Sequence, residues 1–203
     1  MKPLHFGKIV FESSLIVFSV LLALLLNEYR EMIKEEQEKE RALQMIQIEL
    51  KGNRDTLSKW LPYHKQILKN FTEAVDKDSL EGLSLDDQRL LIMKKIPKGV
   101  VIGLLETSAW EAIKLSNIPS NLNVETIFAL SKLYNIQNQG VRGTLSRIST
   151  TLNSRELVGE NNSKHSLFLL KSLFYELVAQ EIYLIEYYKK LIADFETLAI
   201  KQF

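Results

Sequence analysis

The chain has 203 residues, enough for one domain plus appendages, and a formal net charge of +1. It therefore lacks the basic excess of a nucleic-acid-binding protein, and no nucleic-acid partner is expected. With no cysteine it has no disulfide framework, thiolate metal site or cysteine nucleophile, and with only eight glycines and four prolines it should be poor in turns and rich in helix.

Residues 1–8 form a short tail. Residues 9–26 follow as an apolar run whose single charge is Glu12. As a helix this run is about 27 Å long, close to the thickness of a bilayer's hydrocarbon core. A signal peptide would end in a small-residue cleavage site, whereas this run passes into Leu25-Leu26-Asn27-Glu28-Tyr29. A retained transmembrane helix over 9–27 is expected. Glu12 lies one turn inside its edge, positioned to reach the interface or pair with Lys8. Tyr29 fits an interfacial aromatic. Lys and Arg counts place more positive charge after the span than before it, but a long domain can override that bias, so the side of the soluble part stays open.

Residues 28–41 hold six acids and four bases without glycine or proline, reading as a charged juxtamembrane helix in which Glu35 and Lys39 have the favourable i, i+4 order. Residues 42–203 form the bundle domain. There a heptad seam appears: Leu43, Ile46, Leu50, Asn53, Leu57, Trp60, His64, Ile67, Phe71 and Ala74. Followed backwards it meets Lys39, Glu36, Met32, Tyr29, Leu25 and Leu22. One helix should thus run from the membrane to about Val75, with Pro62 as a possible kink.

Ser84 with Asp87 predicts an N-cap for a short helix ending before Pro97. Residues 99–103 are a short apolar connector without the Lys-Ser/Thr of a phosphate-binding loop. Thr107 or Ser108 should cap a short helix carrying Trp110, and 117–123 should be a loop. A second long helix is expected over 124–153, with the stripe Ile127, Leu130, Tyr134, Val141, Leu145, Ile148 and Leu152 shifting phase at Asn138. Gly140 and Gly143 would bend it or allow close contact. After a turn at 160–163, a last helix over about 164–201 carries Phe168, Phe174, Tyr175, Tyr183, Tyr187, Tyr188 and Phe195, expected mainly as core, though seven aromatics are many for one helix and some are expected to face a partner. Its scattered charges oppose a second membrane pass. The fold class is all-α: one N-terminal transmembrane helix continuing into an antiparallel helical bundle.

The residues Glu12, the apolar run, and Asn27-Glu28-Tyr29-Arg30-Glu31 resemble the N-terminus of a bacterial family of single-pass membrane-anchored helical proteins of unknown function. In that family the Glu-led helix ends in Asn-x-Trp-x-Glu, and Tyr29 stands here for the Trp. Thr107-Ser108-Ala109-Trp110-Glu111-Ala112 and Leu130-Ser131-Lys132-Leu133-Tyr134 are similar to that family's soluble part. The resemblance covers about residues 8–140 and implies a bacterial inner-membrane location with no activity to carry over.

His5, His64 and His165 are far apart, no Glu-x-x-His motif occurs, and no nucleophile motif is present. No catalytic, cofactor-binding or metal-binding residue is assigned. The candidate interaction residues are Trp110 and Glu111 for a surface, Glu12 and Asn27 at the membrane end, and His64 and Asn53 on the seam. Three of them have a plainer alternative: Trp110 as a plug, His64 as a satisfied seam histidine, Asn53 as a register-setting polar group. The expected role is a membrane-anchored interaction or scaffold module without catalysis, whose partners are the lipid bilayer and a protein or a second copy. The alternatives are a small-molecule or pH sensor and a membrane-associated effector of a toxin or defence system.

Overall fold

A computed structural model of the protein describes residues 6–77, 80–100, 103–158 and 163–200, which form helices and connections with no β-strand. The expected 99–103 connector and 160–163 turn fall partly outside the described residues, and His5 and the far end of the last helix lie wholly outside them.

The first helix, α1 (Phe6–Asp76), is continuous for 71 residues and passes through Pro62, giving a length of about 107 Å. Residues 8–38 are exposed throughout, and Ala42 is the first buried one. Within the exposed part lies the most apolar stretch of the chain: an 18-residue window with mean hydropathy 2.5 and no residue buried. Among the described residues α1 is the one helix long and apolar enough to cross a membrane. Two of its hydroxyls are satisfied within the helix, Ser14 donating to the Val10 carbonyl and Ser19 to that of Leu15. Beyond residue 42 the seam becomes the core: Ile46, Leu50, Asn53, Leu57, His64, Ile67, Phe71 and Ala74 are buried, with Leu43 and Trp60 half-buried.

Two further long elements pack on that seam. Helix α4 (Val124–Asn135) passes without a break through a π-helical segment (Ile136–Arg142) into α5 (Gly143–Asn153). Asn123 caps its start by accepting from the Thr126 amide at 2.7 Å. The expected single α-helix over 124–153 is therefore three joined pieces. The apparent phase shift at Asn138 comes from a polar member of the stripe: Gln137, fully buried, fills the place between Tyr134 and Val141. Helix α6 (Ser163–Ile200) runs antiparallel to α1, as Phe71 against Phe174, His64 against Glu181 and Lys51 against Glu196 show. It is also antiparallel to α4–α5, with Gln137 meeting Tyr188 and Thr144 meeting Glu176. Since α1 and α4–α5 thus run the same way, the chain must return the length of the bundle between them.

That return is made by residues 77–123. Ser84 caps α2 (Leu85–Lys94) through the Asp87 amide. The chain then turns at Gly99, whose φ of +75° suits a residue without a side chain. It runs back along α1 into α3 (Ser108–Lys114) and a 3₁₀ turn (Ile118–Asn121) containing Pro119, where a plain loop was expected.

Candidate functional site

An irregular segment packed against a helix carries backbone N–H and C=O groups that no ladder satisfies, and each must find a partner. Here the partners are the polar side chains of α1, met in order as the connector runs antiparallel to it. Asn70 donates to the Lys95 carbonyl at 3.3 Å. The Tyr63 hydroxyl accepts from the Lys98 amide at 2.9 Å and donates to the Gly99 carbonyl at 3.0 Å. His64 Nε2 lies 3.2 Å from the Val100 carbonyl. The Asn53 amide closes a two-way pair with Glu106, donating to its carbonyl at 2.8 Å and accepting from its N–H at 2.7 Å. Glu49 Oε2 accepts from the Ala109 amide at 2.8 Å. Both seam residues singled out in the sequence, Asn53 and His64, belong to this polar spine.

Two buried clusters grow from it. Around Glu49 and Asn53, the Tyr134 hydroxyl donates to Glu49 Oε1 at 2.5 Å, and Gln137 donates to the Glu106 carbonyl at 3.0 Å. The Tyr188 hydroxyl donates to the Gln137 carbonyl oxygen. Burial, then the hydrogen bond and charge of Glu49, push the Tyr134 phenol well above its usual range. The Tyr188 phenol also rises, because burial and the Glu49 carboxylate outweigh the downward pull of Asn53.

In the second cluster, His64 Nδ1 and Glu181 Oε1 are 2.6 Å apart, both side chains almost fully buried. The Val100 carbonyl only accepts, so Nε2 is the donor on that side of the ring and Nδ1 faces Glu181. At the surface of α6, Glu176 is held below the usual carboxylate range: burial pulls it upward, but Arg147, Thr144 and Gln180 donate to it and prevail.

The remaining candidates stand apart from these clusters. Trp110 is buried, stacked on Tyr134 with ring planes 1° apart and centroids at 5.6 Å. It is therefore a plug between α3 and α4 and not an exposed anchor. Glu111 is exposed and pairs with Lys114 at 2.8 Å. Asn27 donates to Glu31 at 3.1 Å, closing the Asn-x-Tyr-x-Glu end of the apolar run on itself. Glu12 faces Lys8 at 3.9 Å, as the spacing implied. Lys39 pairs with Glu36 at 2.8 Å instead of Glu35, one helical position away from the expected partner. Thr107 sits at the N-cap of α3 without a side-chain cap bond, the duty passing to Glu49.

Glu49, Tyr134, Gln137, Tyr188 and Glu181 were not singled out from the sequence. In the sequence Tyr134 and Tyr188 look like apolar positions, and Glu181 looks like one more of the charges scattered round the last helix. The spacing of Glu49 from Asn53, one turn along α1, was the available signal.

The surface holds an open groove of about 370 Å³ lined by Met45, Ile48 and Leu104 over Glu49 and Asn53. No group of three or more His, Asp or Glu side chains placed to hold a metal occurs among the described residues. The chain matches no family model, no curated protein and no solved structure.

Proposed function

We propose that the protein is a membrane-anchored interaction module of the bacterial inner membrane: a scaffold that holds a helical bundle at a fixed distance from the bilayer and performs no catalysis. One observation carries this reading. The exposed apolar segment and the core of the bundle belong to one uninterrupted helix, so position is passed from membrane to bundle without a hinge. The resemblance at Glu12, residues 27–31 and residues 107–112 supports the inner-membrane location.

The polar chemistry of the interior supports a structural role. Glu49, Asn53 and His64, which would be the natural reactive groups, are engaged by backbone of the connector or by neighbouring side chains. Chemical crosslinking in cells followed by purification of the full chain in detergent tests the reading. A crosslinked band containing a second copy or a distinct protein is expected, and a chain that stays strictly monomeric would contradict it.

A second reading, a small-molecule sensor, is favoured by the groove beside Glu49, where apolar walls stand over polar groups. Ile48→Trp would fill that groove. Under the scaffold reading its phenotype matches wild type.

A further inference from the structure

Helix α6 carries two heptad seams. One is buried in the bundle. The other lies on the opposite face: Phe168, Ser172, Tyr175, Ala179 and Ile182, alternating spacings of four and three. Phe168, Tyr175 and Ile182 are 58%, 69% and 42% exposed, with Tyr183 beside them at 52%. Of the aromatics of the last helix, read mainly as core with some facing a partner, Phe168, Tyr175 and Tyr183 are the ones left outside. The stripe ends where Glu186 and Lys189 pair with each other at 2.7 Å.

Its position limits what covers it. Glu181 lies beside His64 and Phe174 beside Phe71, so the stripe sits opposite the far part of α1, about 55–75 Å along that helix from Asn27. The headgroups of the chain's own membrane are therefore out of reach.

We propose that a second copy of this chain covers the stripe, pairing α6 with α6 in parallel and in register. This rests on the membrane-anchoring reading, because copies anchored from the same side present the stripe at the same height and are concentrated in one plane. An antiparallel pair would point the two α1 helices in opposite directions, which one membrane does not permit. The flanking charges agree. In a parallel two-stranded coil, a residue just before one seam position faces the residue five further on in the partner. That rule sets Lys171 of one copy opposite Glu176 of the other, twice by symmetry; Arg147, Thr144 and Gln180 of its own chain all donate to Oε1 of that carboxylate, so Lys171 would add a second cation to it. Lys171 makes no ion pair among the described residues. The small Ser172 and Ala179 let the helices approach between the Phe168, Tyr175 and Ile182 layers.

The test uses the full chain in native membranes, which has no cysteine of its own. Ala179→Cys should give a disulfide-linked dimer on mild oxidation, as should Ser172→Cys, because seam positions come within disulfide reach. Gln139→Cys, exposed on the π segment, should not. Co-expressed Ser172→Cys and Ala179→Cys chains should form few mixed disulfides; predominantly mixed products would reverse the proposed direction. Adding Tyr175→Glu to Ala179→Cys should lower the dimer at least about tenfold with helicity unchanged.

Absence of the Ala179→Cys dimer, equal linkage through Gln139→Cys, or linkage only to another protein would overturn the pairing. An alkaline carbonate wash of the same membranes separates this from the anchoring reading. Release of the chain defeats anchoring, whereas retention without dimer defeats only the pairing.

Discussion

Asn53 shows how one side chain decides the path of a distant segment. Its amide matches both backbone groups of Glu106, 53 residues away, and is 2% exposed. Asn53→Ala leaves a buried N–H without its partner and weakens the hold on a carbonyl. A loss of about 2–4 kcal/mol is expected in urea unfolding of the detergent-solubilised chain. Glu111→Ala, which removes one exposed pair, should change stability by less than about 0.5 kcal/mol.

The buried phenols carry a pH dependence. Tyr134 and Tyr188 keep their protons in the fold beyond the ordinary value of 10.0, whereas the unfolded chain releases them there. Above that pH the unfolded state binds fewer protons, so stability is full below it and falls as pH rises further. The fall between pH 9 and 11 should be smaller by about 2–3 kcal/mol in a Tyr134→Phe, Tyr188→Phe double variant. An equal fall in both proteins would show that these phenols titrate freely.

At the scale of elements, helix starts are held in two ways. Ser84 and Asn123 cap α2 and α4 from within their own sequence, and replacing either by alanine should cost about 1 kcal/mol. The start of α3 is held instead from α1 by Glu49. Thr107→Ala should therefore be nearly neutral in the same unfolding assay, while Glu49→Ala should cost about 2–4 kcal/mol by orphaning the Ala109 amide and the Tyr134 hydroxyl.

These cases mark what the sequence made legible. Ser84 was readable because its cap lies three residues away, and the α1 seam because a period of 3.5 persists over many turns. The Glu49 cap spans 60 residues, so no local pattern reveals it. Gln137 hid in its stripe because a polar residue at a buried position looks like a break in periodicity. The seven aromatics of α6 indicate that some face outward but not which, because an aromatic-rich helix looks buried on every face until its two seams are separated.

In the whole molecule, α1 joins two environments. Its first part is exposed and apolar, its last part is core, and the polar residues of the core stretch pin a connector that lets α4–α5 run parallel to it. Function follows from that construction if the exposed part lies in lipid. The most direct test is carbonate extraction of membranes from cells expressing the full chain, with the intact mass of the retained protein determined. The account predicts retention in the membrane pellet at the full-length mass, and a soluble helical bundle when the chain is begun at Glu28. Release of the full chain by carbonate, or a retained species shortened by removal of the apolar segment, would contradict it.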